Sequence, residues 1–301
     1  MEGTYGGLQE LLEARLPSAQ FLSPETVEIR AYERVALMAF PLIKDRQIGM
    51  PLLSDLQREL LRDSRKPPRD LGAVRQDHVW IGPKDRPIDE ARYVPPPADD
   101  RLRAGLDSWE LWLRTDHSHL PPVLQAALAH YQFEALHPFG DGNGRIGRLV
   151  VVLQLLRSGS IQQPAVTVSP WFLKRRDEYQ EQLLMVSLTG DWNPWVQFFC
   201  RAISDQCESL LARAQRLVDW LDETSKTLLS RRWAGAIHRL LEDLVEWPVI
   251  TIADTADRYG VTTVHAARMI NHLVEIRGFE GVDGQELRSD IRSHLRHGDG
   301  R

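Results

Sequence analysis

The sequence of 301 residues is poor in cysteine, with Cys200 and Cys207 alone. They stand seven positions apart in a stretch of helical pattern, which suits core thiols in a reducing compartment rather than a disulfide. No Cys/His set has zinc spacing, so a structural zinc module is excluded. No apolar run reaches the roughly 20 residues of a membrane span, and the N-terminus has no signal-peptide pattern. Both absences lead to the cytoplasm as the expected location and to no membrane partner. Charge of one sign is also missing. A net charge of −5 and a pI near 6.1 argue against a generic polyanion binder. What remains is 43% hydrophobic and 26% charged, a globular composition with room for two domains.

Chemistry concentrates in one run, His137-Pro138-Phe139-Gly140-Asp141-Gly142-Asn143-Gly144-Arg145-Ile146-Gly147-Arg148. Leu124, Leu128, Tyr131 and Ala135 before it fall at helical spacing, as do Leu149, Val152, Leu153 and Leu156 after it. The run is therefore expected to be a tight loop between two buried helices, its glycines turning without Cβ clashes. A loop feeding a helix N-terminus is an anion site, because the first N–H groups lack partners and the dipole favours negative charge. Arg145 and Arg148 add charge-assisted donors for phosphate oxygens. Asp141 is a single carboxylate, enough for Mg²⁺ once substrate phosphates and waters complete the shell. His137, with an ordinary pKa of about 6.5, is the general base at neutral pH. Together these parts point to nucleotidyl or phosphoryl transfer onto an acceptor whose proton His137 removes.

The run resembles the signature of the Fic (Fido) family, His-x-Phe-x-Asp/Glu-Gly-Asn-Gly-Arg-x-x-Arg, with every fixed position met. The similarity covers roughly residues 1 to 220. The resemblance implies a mainly α fold, a Fic helical bundle with a β-hairpin flap. It also implies an enzyme that binds ATP and Mg²⁺ and moves AMP onto a hydroxyl of a target protein (AMPylation). By position, His137 resembles the base acting on a target Tyr, Ser or Thr. Phe139 resembles the buried loop anchor and Asp141 the Mg²⁺ ligand. Gly142, Asn143 and Gly144 resemble the α/β-phosphate cradle, Arg145 the β-phosphate contact and Arg148 the γ-phosphate contact. Ile146 and Gly147 belong to the same nucleotide-binding run. Gly144, where a kinase-like branch carries Lys, favours nucleotidyl transfer. Transfer of UMP or phosphate, or the reverse deAMPylation, stay as alternatives. A homodimer is implied by the same resemblance.

Glu2-Gly3-Thr4 resembles the tail of an inhibitory motif, Ser/Thr-x-x-x-Glu-Gly/Asn, lacking its earlier turns. That implies Glu2 as the inhibitory glutamate facing Arg148, competing with phosphate for its donors, with two alternatives for the missing helix turns: weakened inhibition or a truncated chain.

Ser23-Pro24-Glu25 predicts a capped helix to about Phe40, and Leu53, Leu56 and Leu60 a second from Leu52 to about Arg62. The β-prone runs His78–Gly82 and Arg92–Val94 flank a turn-rich stretch through Pro83, Asp85 and Pro87, which predicts a hairpin. By resemblance it is the flap that covers the nucleotide and aligns the target, with Ile81, Gly82, Pro83 and Lys84 at the nucleotide. Pro95-Pro96-Pro97 leads into a helix from about Ala98 to Thr115. Ser169-Pro170 predicts another helix with the serine as N-cap, containing Tyr179. Arg175 stands where relatives carry Asn and Gln180 where they carry a second Tyr. Gln180 is counted with the nucleotide-binding residues, and base specificity is open beyond ATP. A long amphipathic helix runs from Pro194 to about Ser225.

Residues 230–295 predict a helix ended by Pro248, a helix-turn-helix through Gly260, and a short β-like wing near Phe279. This resembles a winged-helix module. Its recognition helix would carry His265, Arg268 and His272. From Arg232 to Arg301 there are nine arginines against eleven acidic residues, so a structural or protein-contact role is favoured over DNA binding. A DNA-binding regulator whose Fic core only senses nucleotide is the rival of another class. The expected organisation is thus 1–97 with flap and inhibitory remnant, 98–225 as catalytic core, and 230–295 as the small winged-helix domain.

Overall fold

The computed structural model describes residues 23–64, 67–82, 87–230, 235–246, 249–275, 279–282 and 286–289. Glu2, Pro83 and Lys84 lie outside these residues, so their expected roles do too. The chain forms two compact units that divide between Cys207 and Glu208.

In the first unit, α1 (Pro24–Leu42) begins where the Ser23 hydroxyl accepts from Thr26 N–H at 3.1 Å. In α2 (Met50–Leu61), Leu52, Leu53, Leu56 and Leu60 are buried. Asp99 caps α3 (Asp100–Arg114), accepting from Arg101 N–H at 2.8 Å. The next two helices, α4 (Pro122–Leu136) and α5 (Asn143–Arg157), are buried on most sides, polar Asn143, Arg148, His130 and Glu134 included. One core cluster joins them to α1, α2 and α3 through Val35, Leu53, Trp109, Phe133 and Leu149. A second, through Ala127, Val151, Phe172 and Trp195, includes the helices that follow. Trp109 and Trp195 bury their rings and donate to the Ala129 and Ala127 carbonyls, both at 3.0 Å. At Gly147 a Cβ would collide with the Glu134 carboxylate, so glycine lets α5 lie close against α4.

The helix expected from Ser169 is two helices, α6 (Ser169–Lys174) and α7 (Arg176–Thr189), broken at Arg175 with φ −120° and ψ 39°. Arg175 lies over the Trp171 ring at 4.1 Å from its centroid. Ser169 does not cap. Val168 holds that position, and the Ser169 hydroxyl accepts from Arg148 Nε at 3.0 Å.

The hairpin expected over 76–97 is reduced, among the described residues, to one antiparallel bridge, Ile81 with Tyr93. The Ile81 carbonyl accepts from both Arg92 N–H (2.8 Å) and Tyr93 N–H (3.1 Å), and Ile81 N–H donates to Tyr93 O at 2.9 Å. A 3-10 turn at Ile88–Glu90 leads up to Arg92.

The helix α8 (Asn193–Ser230) contributes its first part to this unit and its remainder to the second. Neither thiol is a core group, which corrects that expectation. Cys200 is exposed and Cys207 half-buried, and both are free. They sit on α8 away from the Trp195, Phe199 and Ala202 face that is buried.

The second unit continues with α9 (Gly235–Glu246), β1 (Val249–Thr251), α10 (Ile252–Tyr259), α11 (Thr263–Val274), β2 (Phe279–Val282) and β3 (Glu286–Ser289). The three strands form an antiparallel sheet of order β1-β3-β2, with Leu287 opposite both Ile250 and Gly281. Thr251 and Thr262 cap α10 and α11. Leu240, Leu241, Leu244, Met269 and Leu273 form its core with Trp220. No helix among the described residues is long and apolar enough to cross a membrane.

Candidate active site

The site is built where α4 stops and α5 starts. His137 is the C-cap of α4 in the left-handed region, φ 49° and ψ 60°, and no other non-glycine among the described residues has positive φ. Such a conformation costs a bulky side chain energy and persists where neighbours impose it. His137 N–H donates to the Phe133 carbonyl at 2.9 Å, and its Nδ1 lies 3.3 Å from the Glu134 carbonyl. Two residues on, Phe139 is fully buried against Phe133, ring centroids 6.3 Å apart. Asn143, equally buried, closes the loop on Phe139. Its Oδ1 accepts from Phe139 N–H at 2.9 Å and its Nδ2 donates to Phe139 O at 2.7 Å. Gly142, at φ 84°, then launches α5. Gln57 of α2 is buried against the same loop, donating to Asp141 O (3.1 Å) and accepting from Gly72 N–H (2.6 Å).

Charge is gathered beside this turn. Arg145 lies 3.5 Å from Glu28 of α1 and 3.7 Å from Asp141. Arg148 is buried and fixed by Ser169. Burial pushes the Tyr32 hydroxyl pKa up, opposed by the Arg148 charge and a hydrogen bond with Ser169. Below the loop, His130 is fully buried and held down to a pKa of about 3, chiefly by desolvation. Its Nδ1 is 3.0 Å from the Gly147 carbonyl, which can only accept, so Nδ1 carries the proton. Nε2 therefore accepts from Tyr179 OH at 2.9 Å, linking α4, α5 and α7.

A cleft of about 1140 Å³ gathers His137, Asp141, Arg145, Arg148, Ile81, Gly82 and Gln180 along one surface. A smaller adjoining pocket of about 100 Å³ adds Gly144, Tyr93, Tyr131 and Leu183. Of the other expected nucleotide-binding residues, the four that are described line neither. Gly142, Asn143, Ile146 and Gly147 are buried, Ile146 in the core cluster and Asn143 spending its amide on Phe139. Asn143 and Ile146 shape the loop from inside.

Arg92 joins the 87–97 segment to α7, donating to Gln180 Oε1 (2.9 Å), Glu181 Oε2 (3.0 Å) and Asp177 O (3.1 Å). Gln57, Arg75, Arg92 and His130 escaped the sequence reading. Each acts across many residues and carries no local spacing signal.

No group of three or more His, Cys, Asp or Glu side chains suited to a metal occurs among the described residues. Asp141 is half exposed at the cleft, and its Oδ1 accepts from Gly142 N–H at 2.6 Å. One oriented carboxylate fits Mg²⁺ whose other ligands are phosphate oxygens and water, and it does not fit an all-protein cage.

Residues 50–155, which contain this loop whole, match the model of the Fic/DOC family. Fold and site thus define a Fic/DOC family domain within the chain. Among curated proteins, the chain is similar to the protein adenylyltransferase Fic of Drosophila virilis, 33% identical over 158 residues, 52% of this chain and 29% of that protein. The Drosophila yakuba protein of the same name is 36% identical over 132 residues, 44% of this chain and 23% of that one. The chain therefore spans less than a third of the length of these relatives. Among solved structures, the fold is shared with a Fic family protein from Desulfovibrio desulfuricans G20. Its TM-score is 0.56 at 20% identity, covering 97% of this chain and 82% of that one. A Fic domain containing signaling protein from Bacteroides thetaiotaomicron VPI-5482 gives a TM-score of 0.51 at 23% identity, over 67% and 76% of the two chains.

Proposed function

We propose that this chain is a protein adenylyltransferase, moving AMP from ATP onto a hydroxyl side chain of a target protein. One observation carries the reading: His137, Asp141, Arg145 and Arg148 line a single cleft at the N-terminus of α5. In the reaction, the acceptor hydroxyl oxygen forms a bond to the α-phosphorus. The bond from that phosphorus to the bridging oxygen breaks, pyrophosphate leaves, and the hydroxyl proton passes to His137. Arg145 and Arg148 hold the departing phosphates, and the first turn of α5 offers its positive dipole end. Asp141 is the residue that would hold Mg²⁺, which when bound offsets phosphate charge. The names of the Drosophila relatives support the same activity.

Several finer parts belong to the proposal. The 76–97 segment acts as the flap, supported by the Ile81–Tyr93 bridge and by Ile81 and Gly82 in the cleft. Glu2 is its inhibitory glutamate, with Pro83 and Lys84 completing the flap. The second unit reads as winged-helix-like, supported by its order of helix, strand, two helices and two strands. His265 and Arg268 are exposed on α11, a sparse basic face that suits a protein contact better than DNA. A homodimer completes the reading.

The test is incubation with Mg²⁺ and α-³²P-labelled ATP, following label on protein for wild type and His137→Ala. Label on wild type, reduced on the order of 100-fold or more in His137→Ala with ATP binding kept, is the expected result. Wild type silent with both α- and γ-labelled ATP would sink the enzyme in favour of a nucleotide sensor.

A further inference from the structure

Arg75 is 3% exposed, yet what surrounds its guanidinium is carbonyl oxygen. Nε donates to His137 O at 2.8 Å, Nη2 to Pro96 O at 2.6 Å and Leu136 O at 3.3 Å, and Nη1 to Asp77 O at 3.1 Å. Its own N–H donates to Pro138 O at 2.8 Å. Three consecutive carbonyls, 136 to 138, are thus held by one residue. They lie at the C-terminus of α4, where carbonyls lack helical partners and the dipole is negative, so a buried cation is well placed there. Burial lowers the Arg75 pKa, but a guanidinium remains charged in proteins. The same planar fork reaches Asp77 and Pro96, the two ends of the segment that carries Ile81 and Arg92 over the cleft.

His137 needs such a hold. Its left-handed backbone directs the imidazole, and a hydrogen bond to its carbonyl fixes ψ directly. We propose that Arg75 is a positioning residue for His137, holding the backbone of the base from one buried guanidinium. The inference rests on the adenylyltransferase reading and adds to it a residue 62 positions away from the base.

Arg75→Lys is the informative change, because lysine keeps the charge and loses the fork. With folding checked by thermal melts, the transfer rate at saturating ATP should fall on the order of 10- to 100-fold, while ATP affinity changes less than about 3-fold. In a His137→Ala background the same change should cost nothing further. A rate that falls only with the folded fraction, or rate and affinity falling together, overturns the proposal. So does an added loss in the His137→Ala background. Should Arg75→Lys not fold, Arg75→Gln takes its place in the same measurements. If wild type transfers no label, the enzyme reading fails by itself. The imidazole resonances of His137, assigned with His137→Ala, then decide for Arg75. A shifted titration midpoint in Arg75→Lys upholds the positioning role and an unchanged one overturns it.

Discussion

The loop from His137 to Arg148 and the segment from Asp77 to Pro96 line the same cleft and are held by opposite means. The loop is pinned from inside by Phe139 in the core, the reciprocal Asn143–Phe139 pair, Gln57, and His130 under Gly147. Among the described residues, the 77–96 segment has one backbone bridge, the Tyr93 hydroxyl on the Ala135 carbonyl, the part-exposed Arg92 contacts to α7, and the carbonyl grip of Arg75 at its ends. Buried polar contacts are costly to break, and exposed ones are cheap. The loop is therefore the more firmly held of the two. Every signature position of the loop is met. Arg175 stacks on Trp171, and Gln180 accepts from Arg92.

The largest effect expected from this contrast is acid lability of the loop's foundation. His130 is neutral in the native state down to a pKa of about 3, whereas its ordinary value is 6.5. Unfolded chains take up a proton below that ordinary value and native ones do not. Stability is complete above pH 6.5 and drains away as pH falls toward 3, by on the order of 4 kcal/mol. Urea unfolding at several pH values checks this, with His130→Leu flattening that part of the slope. Parallel slopes in the two proteins would count against the assignment.

Next comes the pin itself. Asn143→Ala leaves the buried N–H and carbonyl of Phe139 unpaired, for a loss of about 2–4 kcal/mol and a transfer activity that falls with the loop's order. Equilibrium unfolding and label transfer measure both, and a neutral result would mean the loop is held elsewhere.

The smallest effect belongs to the cover. Arg92→Ala removes a pair whose side chains are 30% and 51% exposed, so stability changes by less than about 1 kcal/mol. Its mark should be a several-fold weaker ATP affinity at a nearly unchanged saturated rate, read by titration and single turnovers. An Arg92→Ala protein as crippled as Asn143→Ala would break the contrast between loop and cover.

Local rules were enough for what is local. Helical spacing around the loop, the serine cap at Ser23 and the dense run from His137 to Arg148 were legible because each is a short-range constraint. Of the expected hairpin, the described residues carry one bridge. β-prone composition at 78–82 and 92–94 does not say that a single carbonyl, Ile81, takes both available donors. At Ser169, the rule for caps lost to a tertiary claim, because Arg148 needs that hydroxyl.

By itself the sequence determined the inventory: a base, a carboxylate, two arginines and a glycine turn within twelve residues between apolar helices. It could do so because the chemistry of an anion loop is carried by neighbours in the chain. Only the tertiary structure decided which of those residues face the cleft and which are spent on shaping it. Only there do Gln57, Arg75 and His130 come under the loop, from 17 to 84 residues away, and Arg92 reach α7. Burial makes such distant hydrogen bonds strong, and burial is set by how the helices pack, not by any spacing along the chain.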